Sequence, residues 1–158
     1  MENPRECALD VLIKVDKKEE LSHIAISNVL EKYQFSEKRD RAFFTRLVEG
    51  TLERQITIDY VADQFSKTKI RKCKPLIRAL LRMGIYQLLY MDQVPDSAAC
   101  NEAVKLAKKR GFSRLSGFVN GVLRNISRKK ETISYPKKDK NLVTYFSVTY
   151  SITEWIIK

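Results

Sequence analysis

From Lys74 to Arg128 apolar residues recur with a helical period, and only two short turns interrupt them. Leu76, Ile77, Leu80, Leu81, Ile85, Leu88 and Leu89 form one broad apolar face, while Lys74, Arg78, Arg82 and Tyr86 recur every four residues on another. Further on, Leu115, Phe118, Val119, Val122, Leu123 and Ile126 make a clean helical stripe, with Arg114, Gly117, Gly121, Arg124 and Arg128 opposite. Asp92-Gln93-Val94-Pro95 reads as a turn, because a residue before proline is held extended. Lys108, Lys109 and Arg110 suit a helix C-terminus and Gly111 the position just beyond it. The stretch therefore predicts three consecutive helices, Lys74–Tyr90, Pro95–Arg110 and Ser113–Arg128, with a core side and a cationic side.

The remainder follows the same period. Pro4 to Val15 reads as a first helix, with Ala8, Val11, Leu12 and Val15 inward. A second runs from about Ile24 to Tyr33, with Ser22 as its N-cap. Ser36 to Ile56 reads as one long helix carrying Phe43, Phe44, Leu47, Val48 and Leu52. Its interior Gly50 costs about 1 kcal/mol relative to alanine, which the close approach of another helix would explain. Ile58, Val61, Ala62 and Phe65 mark a short helix, and Ser66 to Cys73 a basic link. No strand pattern and no internal repeat is present. The fold expected is all-α, a compact bundle of six or seven helices. Lys129 to Asn141 reads as a linker, after which Leu142 to Lys158 recovers apolar periodicity. Trp155, Ile156 and Ile157 need burial that this short segment does not offer. The organisation expected is thus a helical domain over 1–130, then 131–158 as a linker and the start of a segment leading to a further domain.

With 158 residues, 44% hydrophobic and 31% charged, one domain with a real core is expected. No apolar run has the length of a membrane span, and the first residues lack a signal-peptide layout. Three dispersed cysteines, Cys7, Cys73 and Cys100, argue for a reducing cytoplasm and against a disulfide framework. They lack metal-ligand spacing, and His23 is the one histidine, so no metal is expected. His23 reads as a surface or capping residue, since no partner forms a catalytic motif with it. The net charge of +11 is uneven: 10 Lys/Arg against 13 Asp/Glu before residue 67 give −3, and 20 against 6 from there on give +14. A basic second half points to a polyanionic partner.

Several local motifs resemble one family. Arg5-Glu6-Cys7-Ala8-Leu9, Asp40-Arg41-Ala42-Phe43 running to Leu47-Val48-Glu49-Gly50, and Leu81-Arg82-Met83-Gly84-Ile85-Tyr86-Gln87-Leu88 followed by Val94-Pro95 are similar to NusB-type domains. So are Asn101-Glu102-Ala103-Val104-Lys105-Leu106-Ala107-Lys108 and Phe118-Val119-Asn120-Gly121-Val122-Leu123-Arg124. Within that superfamily the chain most resembles the N-terminal domain of the RsmB (Sun/Fmu) family, bacterial methyltransferases of cytosine C5 in 16S ribosomal RNA. Tyr150-Ser151-Ile152-Thr153-Glu154-Trp155-Ile156-Ile157 resembles the segment opening the rest of those enzymes, with Thr153 where the family has proline. The resemblance implies a NusB-like bundle that binds ribosomal RNA, a C-terminal catalytic domain as its partner, and S-adenosylmethionine as the cofactor of the full-length parent. The parent's chemistry requires a cysteine thiolate from a Pro-Cys motif, and none of the three cysteines follows a proline. No active site and no cofactor are therefore expected within residues 1–158.

The RNA-binding residues expected are Arg71, Lys72, Lys74, Arg78, Arg82, Lys108, Lys109, Arg110, Arg114, Arg124 and Arg128, most of them gathered into one patch. Asn101, Glu102, Asn120 and Arg124 read as a hydrogen-bonded network between two helices, with Glu102 pairing an arginine. Gly117-x-x-x-Gly121 reads as a site of close helix packing. Two other functions fit the residues: a NusB-type transcription antitermination factor binding RNA and a small ribosomal protein, and a packing module whose charge is incidental.

Overall fold

The computed structural model describes residue 1, residues 3–136 and residues 142–151. Among them eight α-helices follow in order: α1 (Pro4–Asp16), α2 (Ser22–Lys32), α3 (Lys38–Glu53), α4 (Gln55–Phe65), α5 (Pro75–Tyr90), α6 (Asp96–Lys109), α7 (Ser113–Lys129) and α8 (Leu142–Tyr150), with 3-10 turns at Ile70–Lys72 and Lys130–Thr132. No strand occurs among the described residues, so the all-α expectation holds.

The bundle is built around α5, on which α1, α3, α4, α6 and α7 all pack. From Ile77 to Leu88 every residue of α5 is buried except the half-buried Arg78. This corrects the two-faced reading. The face carrying Arg78, Arg82 and Tyr86 is not solvated, because α1, α3 and α4 close over it. A helix enclosed on all sides must satisfy its polar groups internally. Gln87 does so by donating to the Met83 carbonyl (3.0 Å) and accepting from Arg5 Nε (2.8 Å).

Local chemistry sets the helix ends. The Asn3 side chain accepts from the backbone N–H groups of Arg5 (3.0 Å) and Glu6 (3.2 Å), and Pro4 occupies the first helical position. Ser22 lies inside α2 and makes no capping bond, since Leu21 stands at the N-cap. At the end of α6, Gly111 takes φ +86°. There Phe112 N–H donates to the Ala107 carbonyl (2.8 Å) and Gly111 N–H to that of Lys108 (3.3 Å), the paired bonds of a Schellman turn. That turn returns α7 along α6, the most extensive helix–helix contact in the fold. Asp96 does not cap α6. Its carboxylate accepts from Ser127 Oγ (2.7 Å) and pairs with Lys130 Nζ (3.1 Å), tying the start of α6 to the end of α7.

The long helix expected over Ser36–Ile56 breaks at Arg54 (φ −99°, ψ 13°), and α4 restarts at once. No glycine or proline marks the break. The change of direction brings Ile58, Val61 and Ala62 into the core. Gly50 stays helical and fully serves close packing: a Cβ there would lie 2.1 Å from Tyr86 Cζ and OH. Gly50→Ala is therefore expected to destabilise the domain by about 1–3 kcal/mol, as overpacking does. Gly117→Ala, whose Cβ meets nothing within 4 Å, is expected to stabilise by up to about 1 kcal/mol through helix propensity. Urea unfolding of the two variants reads both signs.

After α7 the chain runs back over α4. Gln64 Nε2 donates to the Ser134 carbonyl (2.8 Å), Thr57 Oγ1 to that of Val148, and Ile56 N–H to Ser151 Oγ (3.2 Å). Ser147 and Val148 of α8 are buried there. Residues 137–141 of the expected linker, and Trp155 with its isoleucine neighbours, lie outside the described residues.

Candidate nucleic-acid interface

The basic second half of the chain divides into paired and unpaired charge. Arg82 sends Nε and Nη2 to the two carboxylate oxygens of Asp59, both at 2.8 Å, and Nη1 to Asp16 (3.4 Å). Arg78 binds Asp16 through Nε (2.9 Å) and Nη2 (2.7 Å), and its Nη1 caps the carbonyls of Arg71 (3.0 Å) and Cys73 (2.9 Å). Burial pushes the Asp59 carboxyl up from its ordinary value, and Arg82 opposes that shift. These bonds knit α1, α4, the basic link and α5 together. Arg78 and Arg82 thus stand apart from the patch expected of them, because their guanidinium groups are turned inward and spent on carboxylates.

Lys109 and Arg110 are also engaged. Lys109 Nζ lies 2.6 Å from Glu6, and Arg110 reaches Glu6 (3.4 Å) and Asp10 (2.8 Å), so the end of α6 is bound to α1. Chiefly the hydrogen bond from Lys109 holds the Glu6 carboxyl below its ordinary range, against the opposing effect of burial. The front half thus supplies Glu6, Asp10, Asp16 and Asp59 to cations of the back half. Part of the charge asymmetry is internal complementarity.

Six of the seven other expected cations face outward. Arg71, Lys72, Lys74, Lys108, Arg114 and Arg128 are exposed. Arg128 donates to Asn125, and the rest make no ion pair with a described residue. Lys67 and Lys69, not among the expected residues, add two more exposed cations to the link. Two hollows organise this surface. One, about 270 Å³, lies between the link and α7 and is lined by Thr68, Lys72, Cys73, Lys74, Ile77, Leu115 and Phe118. The other, about 480 Å³, runs between α6 and α7 and is lined by Asn101, Val104, Lys105, Lys108, Ser116, Gly117, Asn120 and Arg124. Both border the first turns of α7, where Arg114 stands exposed.

In the second hollow Arg124 donates through Nη2 to Asn101 Oδ1 (2.7 Å) and through Nε to Asn120 Oδ1 (3.1 Å). This is the interhelical network expected. Glu102 instead pairs with Lys105 (3.6 Å). Gly117 and Gly121 do not support close packing: nothing lies within 4 Å of a Cβ at either, so both lie bare on the exposed side of α7, and Gly117 lines the hollow. Lys105 escaped the sequence reading, although Asn101, Lys105 and Lys108 share one face by spacing of four and three.

Burial raises the pKa of all three thiols, Cys7, Cys73 and Cys100, the direction opposite to activation. Among the described residues no cluster of His, Cys, Asp or Glu is arranged to hold a metal ion, and no helix is long and apolar enough to cross a membrane.

This all-helical scaffold with a cationic α6–α7 edge finds its match across most of its length. Residues 2–128 match the NusB family. The chain belongs to that family. A protein of Bacillus subtilis (strain 168) named "Probable ribosomal RNA small subunit methyltransferase B" is 36% identical over 156 residues, covering 98% of this chain and 34% of its own length. This NusB-family chain thus spans about a third of that relative. A transcription antitermination protein NusB of Bacillus velezensis is 37% identical over 123 residues, covering 77% of this chain and 91% of its own. The fold recurs in a chain from the crystal structure of antitermination factors NusB and NusE in complex with dsRNA, at TM-score 0.71 and 24% identity over 79% of this chain and 93% of that one.

Proposed function

We propose that this NusB-family domain holds ribosomal RNA for an S-adenosylmethionine-dependent cytosine-C5 methyltransferase whose catalytic domain follows it in a longer chain. The observation that carries the reading is the extent of the likeness. The match to the methyltransferase runs over 98% of this chain, through the segment that folds back on α4, whereas the NusB family match ends at residue 128. The unpaired cations supply the contact: Lys72, Lys74, Lys108, Arg114 and Arg128 hold phosphates, which fix register and orientation without reading sequence. Holding the target in one frame with the reactive groups is what such a domain adds to a reaction.

The described residues do not fit the cofactor. They form no strand leading into a glycine-rich loop, and their thiols are shifted away from the thiolate. Methyl transfer is assigned to the domain that follows. An antitermination factor is the second reading, favoured because the NusB relative is matched over 91% of its own length.

Three proteins separate the readings: the full-length protein, residues 1–158, and a version beginning after the linker. The full-length protein is expected to methylate ribosomal RNA and the truncated one to lose activity chiefly through weaker RNA affinity. Calorimetry with S-adenosylmethionine and a methyl-transfer assay decide it. Cofactor binding by residues 1–158, or a truncated enzyme equal to the full-length one in affinity and turnover, would overturn the proposal.

A further inference from the structure

The groove between α6 and α7 has a more specific chemistry than a phosphate-binding surface. Arginine is donor-only, so the atoms facing Arg124 must be the amide oxygens of Asn101 and Asn120. With both oxygens engaged, the two amide NH2 groups are the ends left to a ligand. The unspent N–H groups of Arg124 and the ammonium group of Lys108 add further donors, with Lys105 beside them paired to Glu102 (3.6 Å) and Ser116 donating to the Ser113 carbonyl (2.7 Å). Among the described residues no carboxylate lines the groove, and the nearest to its cations is Glu102, paired with Lys105. Its floor is bare at Gly117, where nothing lies within 4 Å of a Cβ, so a planar group can lie directly on the helix. Its volume of about 480 Å³ falls in the range of small-ligand sites. Arg124 is held at two nitrogens and so is oriented before any ligand arrives.

A donor array with a flat floor suits a ring that presents adjacent acceptors. We infer that this groove is a subsite for one unpaired RNA nucleotide whose base offers two neighbouring acceptors, as the O6/N7 edge of guanine does, with its phosphate at Lys108. The inference rests on the RNA-binding reading above and adds sequence preference to it. Adenine presents an amino group where guanine has O6, and that donor meets donors. Guanine buried in a duplex cannot lie flat on the floor, so the nucleotide must be unpaired.

The test uses uridine octamers carrying one central guanosine, inosine or adenosine, titrated by fluorescence anisotropy. Inosine keeps O6 and N7, so it is expected to bind as guanosine does, and both about fivefold or more tighter than adenosine, the lower end of what one two-point base contact discriminates. Gly117→Leu fills the floor without changing charge, and Asn120→Asp keeps the bond to Arg124 while removing the free NH2. Each is expected to bring the guanosine-to-adenosine ratio to about one, with a thermal midpoint no lower than that of the parent. Equal affinity for the three octamers in the parent protein, or a preference that survives Gly117→Leu, would overturn the subsite and leave RNA binding standing. Failure of every octamer to bind at low salt would overturn the RNA-binding reading and the subsite with it.

Discussion

Arg82→Ala is expected to destabilise the domain by about 3–5 kcal/mol, the cost of leaving one partner of a buried ion pair uncompensated. Arg82 is 8% exposed and is the charged partner common to Asp59 and Asp16. Without it, Asp59 keeps the burial that raises its pKa and loses the main group that opposed it, leaving only the weaker effect of Arg78. A carboxyl whose folded pKa stands above its unfolded one stabilises below the unfolded value and loses that stability as pH rises through the folded value. The penalty in Arg82→Ala is therefore largest at neutral pH and is relieved on acidification, when neutral Asp59 is cheaper to bury. Arg82→Lys keeps the charge but not the fork that meets both oxygens, so it is expected to lose less. Replacing Arg82 and Asp59 together by apolar residues of similar size is expected to cost far less than Arg82→Ala alone. Urea unfolding at two pH values reads all of these. If Arg82→Ala left stability unchanged and weakened RNA binding instead, the arginine would be an RNA ligand and the inward geometry would be irrelevant to function.

That contrast shows how much of the site the sequence carries. The periodicity of α7 correctly separates its core stripe from its exposed residues, because one face of that helix meets solvent. The same spacing in α5 misleads: Lys74, Arg78, Arg82 and Tyr86 look like a solvated face, and three of the four are enclosed or half-enclosed. Whether a cation at helical spacing meets water or a carboxylate depends on Asp16 and Asp59, which lie 62 and 23 residues away from Arg78 and Arg82 respectively. No local pattern states that pairing. The break at Arg54 is hidden for a similar reason, since the core positions of α4 redirect the chain without a local signal. Gly111 was legible because positive φ at a helix end is a local demand, and Gly50 because a glycine inside a helix signals close approach even though its neighbour, Tyr86, lies on α5. Gly117 and Gly121 were not, because a bare helix surface and a packed one read alike until neighbouring side chains are placed.

The largest effect on binding is expected from salt and from the cations that have no carboxylate. Each phosphate neutralised on a single strand contributes about −0.7 to the slope of log affinity against log salt, so five contacts give a slope near −3.5 and about a hundredfold loss between 50 and 200 mM. The candidates for those contacts are Lys72, Lys74, Lys108, Arg114 and Arg128, all exposed. Lys72→Glu, Lys74→Glu and Arg114→Glu in one protein are expected to flatten the slope by about 2 and to weaken binding at low salt by two orders of magnitude or more. Their side chains are outside the core, so the unfolding midpoint should hardly move. Charge reversal at Lys109 and Arg110 is expected to do the opposite, loosening α6 from Glu6 and Asp10 while leaving the slope near its original value. Anisotropy titrations at three salt concentrations, paired with thermal melts, give both readouts on the same samples. A slope that falls equally for the two sets would mean that ion-paired and unpaired cations contribute alike. The division of the basic half into an internal clamp and an RNA surface would then be wrong.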